Sequence, residues 1–219
     1  MNFTDNGLVS TLSQPDQGIL RAGCRAVVLN AHDVLTTPTS NHVESVYFLT
    51  GASVAQLVHH RATGSVAVGL VGYAGAVGLQ FALDMGPSAF TLLVQDRGTA
   101  WVINGAALRS MAVASPTMLL AISRHLWADS QELARYAGNL QSQTVAQRLA
   151  RWIVRSQGQR VDAVLELTHA HLARMLGVRR ASISAAALEL REQGLLDYTR
   201  GRVVVRDRAA LEAVARSHR

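Results

Sequence analysis

The apolar positions of this chain change period along its length. Between residues 25 and 103 they fall in short runs rich in β-branched or aromatic residues. These are Ala26-Val27-Val28-Leu29, Ser45-Val46-Tyr47-Phe48-Leu49, Ser53 to Val58 and Ser65-Val66-Ala67-Val68, continued by Ala89 to Gln95 and Ala100 to Ile103. Pro38, Gly51 and Gly64 with their polar neighbours punctuate them. Each run predicts a strand, and many short strands at close spacing predict a small double-sheet roll. Residues 1–22 read as a lead-in with a short helix about Gln14 to Arg21.

From Ser115 the period becomes helical. Ser is a good N-cap and Pro116 a favoured first helical residue. Leu119, Ile122, Leu126, Leu133, Tyr136 and Leu140 then recur on steps of three and four, with Asp129 polar on the same seam. One roll cannot cover a helix reaching from Pro116 to about Leu140, so the seam is expected to meet a second copy. Gly138-Asn139 or Gln141-Ser142-Gln143 is the expected hinge. Thr144 to Ser156 reads as a further helix, with Val145, Leu149, Trp152 and Ile153 inward. Arg148, Arg151 and Arg155 lie on its other face, which reads mainly as solvated, with phosphate contact as the alternative. Gln157-Gly158-Gln159-Arg160 ends it, and residues 161–167 lead to Thr168, an N-cap residue.

Residues 168–196 carry the sharpest local signal. Leu172, Ala173 and Leu176 form an apolar strip on a short helix, and Gly177 supplies a turn position that would strain a residue with a Cβ. A second helix follows Val178, with Ile183, Ala186, Ala187 and Leu190 at helical spacing and Gly194 just past its end. This is helix-turn-helix spacing, in which the second helix enters the DNA major groove. Leu195 to Tyr198 and Val203 to Val205 then read as two strands joined by the turn Thr199-Arg200-Gly201-Arg202, a wing tipped with arginine.

The stretch LTHAHLARMLGVRRASISAAALELREQGLLDYTRGRVVVRDRAALEAVA resembles the C-terminal winged helix of the CRP/FNR superfamily of bacterial transcription regulators. A looser resemblance runs upstream through VYFLTG, VAVGLVGYAGAVGL and the helix after Ser115. It implies an α+β chain with three parts. These are an N-terminal β-roll of the cyclic-nucleotide-binding type (1–114), a dimerisation helix with its hinge (115–143) and a winged helix-turn-helix (144–219). It also implies that the seam Leu119, Ile122, Leu126, Leu133, Tyr136 and Leu140 builds a parallel dimer. Relatives that bind cyclic nucleotides use a Glu in a glycine-rich turn for the ribose and a later Arg for the phosphate. Here the turn is Gly72-Tyr73-Ala74-Gly75, with Ala74 at the Glu position, and Pro87 stands where the Arg is expected. A phosphate needs a charge-assisted partner, so cyclic AMP is not the expected effector.

In the second motif helix, Arg180, Ala181, Ser184, Ala185 and Leu188 lie opposite the apolar strip. Arg180 can give two hydrogen bonds to guanine. Arg179 is placed to read a base or grip phosphate, and Thr168, His169, Ser182 and Ser184 offer short polar groups to the backbone. Arg200 and Arg202 on the wing are expected on phosphates. Familiar relatives carry Glu and Arg where this chain has Ala181 and Ala185, so a different half-site is expected, with more reliance on DNA shape.

Charge placement agrees. Residues 144–219 hold 14 Arg against 7 acids, while residues 1–143 hold 7 Arg against 8 acids, and lysine is absent. A basic end on a neutral front is the footprint of a sensor joined to a DNA reader. Cys24 is the only cysteine, so no intramolecular disulfide can form. The same count rules out an iron–sulfur cluster held by several thiolates of one chain. Cys24 reads as a small apolar residue in a cytoplasmic protein. No secretory signal stands at the N-terminus. Residues 62–83 are free of charge and long enough for a membrane span, but five interior glycines and the lack of flanking arginine clusters oppose that.

No histidine spacing points to a metal or haem, and adjacent His59 and His60 would face opposite sides of a strand. No Walker loop, zinc-protease helix, nucleophile elbow or Cys–His pair is present. The expected partners are a palindromic double-stranded operator, a second copy, RNA polymerase and a small-molecule effector of unspecified identity, with no cofactor and no membrane. Two rival readings remain: a ligand-binding roll with a purely structural helical part, and an interaction protein that sequesters another regulator.

Overall fold

The computed structural model describes residues 2–39, 44–60, 64–72, 74–86, 89–158 and 164–217. The chain forms two compact units, residues 1–56 with 71–134, and residues 57–70 with 135–219.

Among the described residues, eight strands lie between residues 25 and 104: β1 (Arg25–Leu29), β2 (Val34–Thr36), β3 (Ser45–Leu49), β4 (Ser53–His60), β5 (Gly64–Val71), β6 (Ala76–Val77), β7 (Thr91–Asp96) and β8 (Gly98–Asn104). They form two four-stranded sheets, ordered β1-β8-β3-β6 and β2-β7-β4-β5. The distal part of the β4–β5 hairpin, residues 57–70, clusters with the second unit. In the first sheet Phe48 pairs with Trp101 and Val46 with Ile103, antiparallel. The two-residue strand period then sorts the side chains. Val46, Phe48, Trp101 and Ile103 enter one core cluster, while Leu49, Val77 and Ala100 enter another with Val54, Leu92 and Val94 of the second sheet. This is the double-sheet roll that the short apolar runs predict. Within the charge-free stretch 62–83, Gly64–Val71 and Ala76–Val77 are strands and Leu79–Leu83 is 3-10 helix. No helix among the described residues is long and apolar enough to cross a membrane.

The lead-in is part of the core. It forms α1 (Gly7–Ser10) and α2 (Gln14–Gly23), and Phe3, Leu8, Val9 and Leu12 are buried. Phe3 meets Trp101 edge-on at 5.4 Å, and the Arg21 guanidinium lies 3.7 Å from the Trp101 ring centre. Asn6 is wholly buried and fully used. It donates to the carbonyls of Leu49 and Gly75 and accepts from the amides of Leu8 and Val9. Asp16 accepts from the hydroxyls of Ser13, Ser115 and Thr117 at 2.7–2.8 Å. Those three hydroxyls hold its carboxyl below the usual carboxylate range. Cys24 packs half-buried against the same cluster, and burial pushes its thiol up to about 12. It is therefore a thiol and not a thiolate at neutral pH.

After β8 the chain forms α3 (Gly105–Ala114), which short-run patterning does not reveal, and then α4 (Pro116–Ser142). Ser115 Oγ accepts from the Met118 amide at 3.2 Å, the predicted N-cap. The helix runs unbroken through Gly138, so the break falls at Gln143 and Thr144 instead.

The second unit holds α5 (Val145–Gln157), β9 (Leu165–Glu166), α6 (His169–Leu176), α7 (Arg180–Glu192), β10 (Leu196–Thr199), β11 (Arg202–Val205) and α8 (Arg208–Arg216). Thr144 and Gln147 form a capping box at the start of α5. Leu149, Ile153, Leu172, Met175, Leu176, Ile183, Leu190, Val203 and Leu211 are fully buried. The wing is a three-stranded sheet, β10-β11-β9, because Leu165 and Glu166 pair with Val203 and Arg202.

Candidate nucleic-acid interface

Two turns set the geometry of the elements that carry the exposed arginines. Gly177 ends α6 at φ +63°, ψ +37°, a conformation in which any Cβ is strained. That single residue ends α6 and leaves α7 to begin at Arg180, with Arg179 as its cap. The wing turn is the second. Arg200 at φ +49° and Gly201 at φ +82° link Thr199 to its partner Arg202. Two consecutive positive φ values make the tight hairpin whose twist matches its strands, and the arginine pair sits at its turn.

Ile183, Ala186, Ala187 and Leu190 turn inward from α7, as predicted. Arg180, Ala181, Ser184, Ala185 and Leu188 are exposed on the opposite face, and Arg179, Arg200 and Arg202 are exposed as well. Thr168 caps α6 by accepting from the His171 amide at 3.1 Å. Ser182 is half-buried. All four of Arg179, Arg180, Arg200 and Arg202 are exposed and belong to the second unit.

A polar cluster joins the three elements. His169 Nδ1 bonds Ser184 Oγ at 2.9 Å, and its ring stacks on Tyr198 at 4.2 Å. Tyr198 donates its hydroxyl to the Leu167 carbonyl. The start of α6, the middle of α7 and the first wing strand are thereby held together. Burial, with the nearby Arg180 charge, lowers the His169 pKa below its ordinary value. His169 and Ser184, both expected at the DNA backbone, are bonded to each other. Tyr198, the hub of this cluster, carries no signal of that role in the sequence; an aromatic residue in a wing strand reads only as packing.

Other sequence expectations are corrected. Arg148, Arg151 and Arg155 are half-buried, not a solvated face. With Tyr136 and Trp152 they line a cavity of about 20 Å³, and Arg148 donates to the Leu176 carbonyl. In the single chain, the described residues of the expected dimer seam other than Leu119 are buried or half-buried. Ile122 is 2% exposed in the roll core, and Leu126 and Leu133 line a cavity of the roll. Tyr136 donates to the Ala67 carbonyl at 2.9 Å. The Leu140 side chain lies outside the described residues, as do Tyr73, Pro87 and the Gln159-Arg160 pair. Only Leu119 of that seam is exposed, at 37%, whereas Leu120 at 49% and Trp127 at 67% lie off it. A stripe at steps of three and four looks the same whether it meets a sheet of its own chain or a second helix. Among the described residues no cluster of His, Cys, Asp and Glu has metal-site form.

Residues 147–214 match the Crp-like helix-turn-helix domain model. Residues 147–214 thus carry a Crp-like helix-turn-helix domain. The fold of the chain is similar over most of its length to solved structures of CRP/FNR regulators. A Eubacterium rectale protein assigned to the Crp/Fnr regulators superposes with a TM-score of 0.73 at 13% identity, covering 98% of this chain and all of that one. A CRP/FNR-family regulator of Thermus thermophilus gives 0.69 at 20% identity, over 89% of this chain and 100% of that one. The c-di-GMP-responsive regulator CLP of Xanthomonas campestris gives 0.67 at 17% identity, over 88% and 99%. Among curated proteins none matches the sequence. α7 is the second helix of that helix-turn-helix, and β10–β11 form the hairpin that follows it.

Proposed function

We propose that this CRP/FNR-type protein is a homodimeric, sequence-specific transcription regulator and not an enzyme. It acts in the cytoplasm on a nearly palindromic operator. The observation that carries this is the set of exposed arginines: Arg179 and Arg180 at the mouth of α7, and Arg200 and Arg202 on the wing of the same unit. Arg180 reads guanine and the wing arginines take phosphates, with Ala181 and Ala185 leaving the rest of the half-site to shape. Thr168, His169, Ser182 and Ser184 act mainly by positioning α6 and α7.

The second copy docks on the outer face of α4. Leu120 and Trp127 are two helical turns apart, with Leu119 beside them, and on a helix about 40 Å long this is a seam fit for a parallel pair. RNA polymerase and a small effector are further partners in this reading. Cyclic AMP is not that effector, because Ala74 offers a methyl group in place of a carboxylate.

Random-site selection with purified protein tests the proposal. The expected result is an inverted repeat with half-sites about one helical turn apart, and with Arg180→Ala a loss of preference at one position in each half. Failure to enrich any sequence in low salt overturns it.

A further inference from the structure

The wing hairpin has four-residue strands, Leu196–Thr199 and Arg202–Val205. Such a hairpin is marginal on its own in water, and β9 pairs with only two of its residues. Its turn carries Arg200 and Arg202. Ordering two long side chains on phosphates costs entropy, and less of it is lost when the backbone beneath them is already placed.

Leu167, the buried residue between β9 and α6, places that backbone with both of its peptide groups. Its amide donates to the Gly201 carbonyl at 2.7 Å, and its carbonyl accepts from the Tyr198 hydroxyl. The Tyr198 ring also stacks on His169, with the centroids 4.2 Å apart. The turn lies close to the next residue as well. A Cβ on Gly201 would stand 3.1 Å from the Thr168 methyl carbon, and Gly201 has φ +82°. Thr168 in turn caps α6. The arginine-bearing turn thus rests on the start of the helix-turn-helix, through the Tyr198 side chain and through the lack of one at Gly201.

We propose that Tyr198 and Gly201 are positioning residues for DNA binding: they hold the wing turn against Leu167 and Thr168, and so set where Arg200 and Arg202 meet the DNA backbone. This deepens the function proposed above and rests on its reading of the two wing arginines as phosphate contacts. Neither Tyr198 nor Gly201 carries a charge at neutral pH. A change in salt dependence on replacing them therefore comes through groups that do.

Fluorescence anisotropy of the full chain on a labelled duplex of random sequence, over a salt series, tests this. Tyr198→Ala is expected to lower the slope of log affinity against log salt by about two, the worth of two phosphate contacts. Tyr198→Phe, which keeps the ring and loses only the hydroxyl, lowers it by about one, and so does Gly201→Ala. In a chain that already has Arg200→Ala and Arg202→Ala, Tyr198→Ala lowers it no further. A loss of stability alone reduces the active fraction and leaves the slope where it was. Trypsin gives a second readout without DNA: cleavage after Arg200 is expected to be about tenfold faster in Tyr198→Ala, while cleavage after Arg109 in α3 keeps its rate. Circular dichroism confirms that the variants are folded. A wild-type slope in the folded variants, a loss that adds in full to that of the arginine replacements, or a wild-type rate of cleavage after Arg200 overturns the assignment. A wild-type chain that holds no duplex in low salt overturns the function proposed above instead, and the cleavage rate then still decides whether Tyr198 docks the wing.

Discussion

Replacing Trp127 by alanine separates the two faces of α4. Its indole is 67% exposed. A tryptophan buries roughly 150–250 Å² when covered, so covering the exposed part removes about 100–170 Å² from water. At about 25 cal/mol per Å² that is roughly 2.5–4 kcal/mol per copy. A twofold axis counts it twice. If only half of the total is realised after side-chain ordering, Trp127→Ala still raises the dimer dissociation constant by about two to three orders of magnitude. Ile122→Ala is the contrast. At 2% exposure inside the roll it leaves a cavity and costs each chain about 2–5 kcal/mol of folding stability, without a direct effect on association. Sedimentation velocity over a dilution series reads the first effect, and urea melts read the second. Trp101 and Trp152 are buried, so the blue shift of tryptophan emission on association belongs to Trp127 and vanishes in its variant. Unchanged dimerisation in Trp127→Ala, or well-folded monomers from Ile122→Ala, refutes the assignment of the outer face.

Two further outcomes follow from the same structure. Arg200→Ala and Arg202→Ala weaken all DNA sequences alike and each lower the slope of log affinity against log salt by about one; an unchanged slope in gel shifts removes that residue from the phosphate contacts. Asp16→Asn is destabilising near neutral pH by about 1–3 kcal/mol, since it discards charge-assisted bonds from three hydroxyls. The Asp16 carboxyl is held below its unfolded value of 3.8. Its contribution is therefore complete above that pH and lost as pH falls through the lower folded value. Urea melts from pH 6 to 3 show the gap between wild type and variant closing at the acid end, and a gap independent of pH refutes the role.

Local chemistry was enough to write much of this protein from its sequence. The runs at residues 45–49 and 100–103, the Ser115 cap and the Gly177 turn depend on neighbours a few positions away, and so does the Thr199–Arg202 hairpin. Their elements appear where the sequence places them. The inward face of α7 and the arginines on its outer face follow from helical period alone. What sequence could not assign is which partner satisfies an apolar or polar group. The stripe holding Ile122, Leu126 and Leu133 is turned to its own roll, while Trp127 off that stripe stands in solvent. Asn6, Asp16 and the lead-in helices join the core through bonds to residues some 40 to 100 positions away. The third wing strand and the His169–Ser184–Tyr198 cluster likewise exist only once distant segments meet. Periodicity tells a residue which side of its own helix or strand it occupies. Only the packed chain decides what lies on that side.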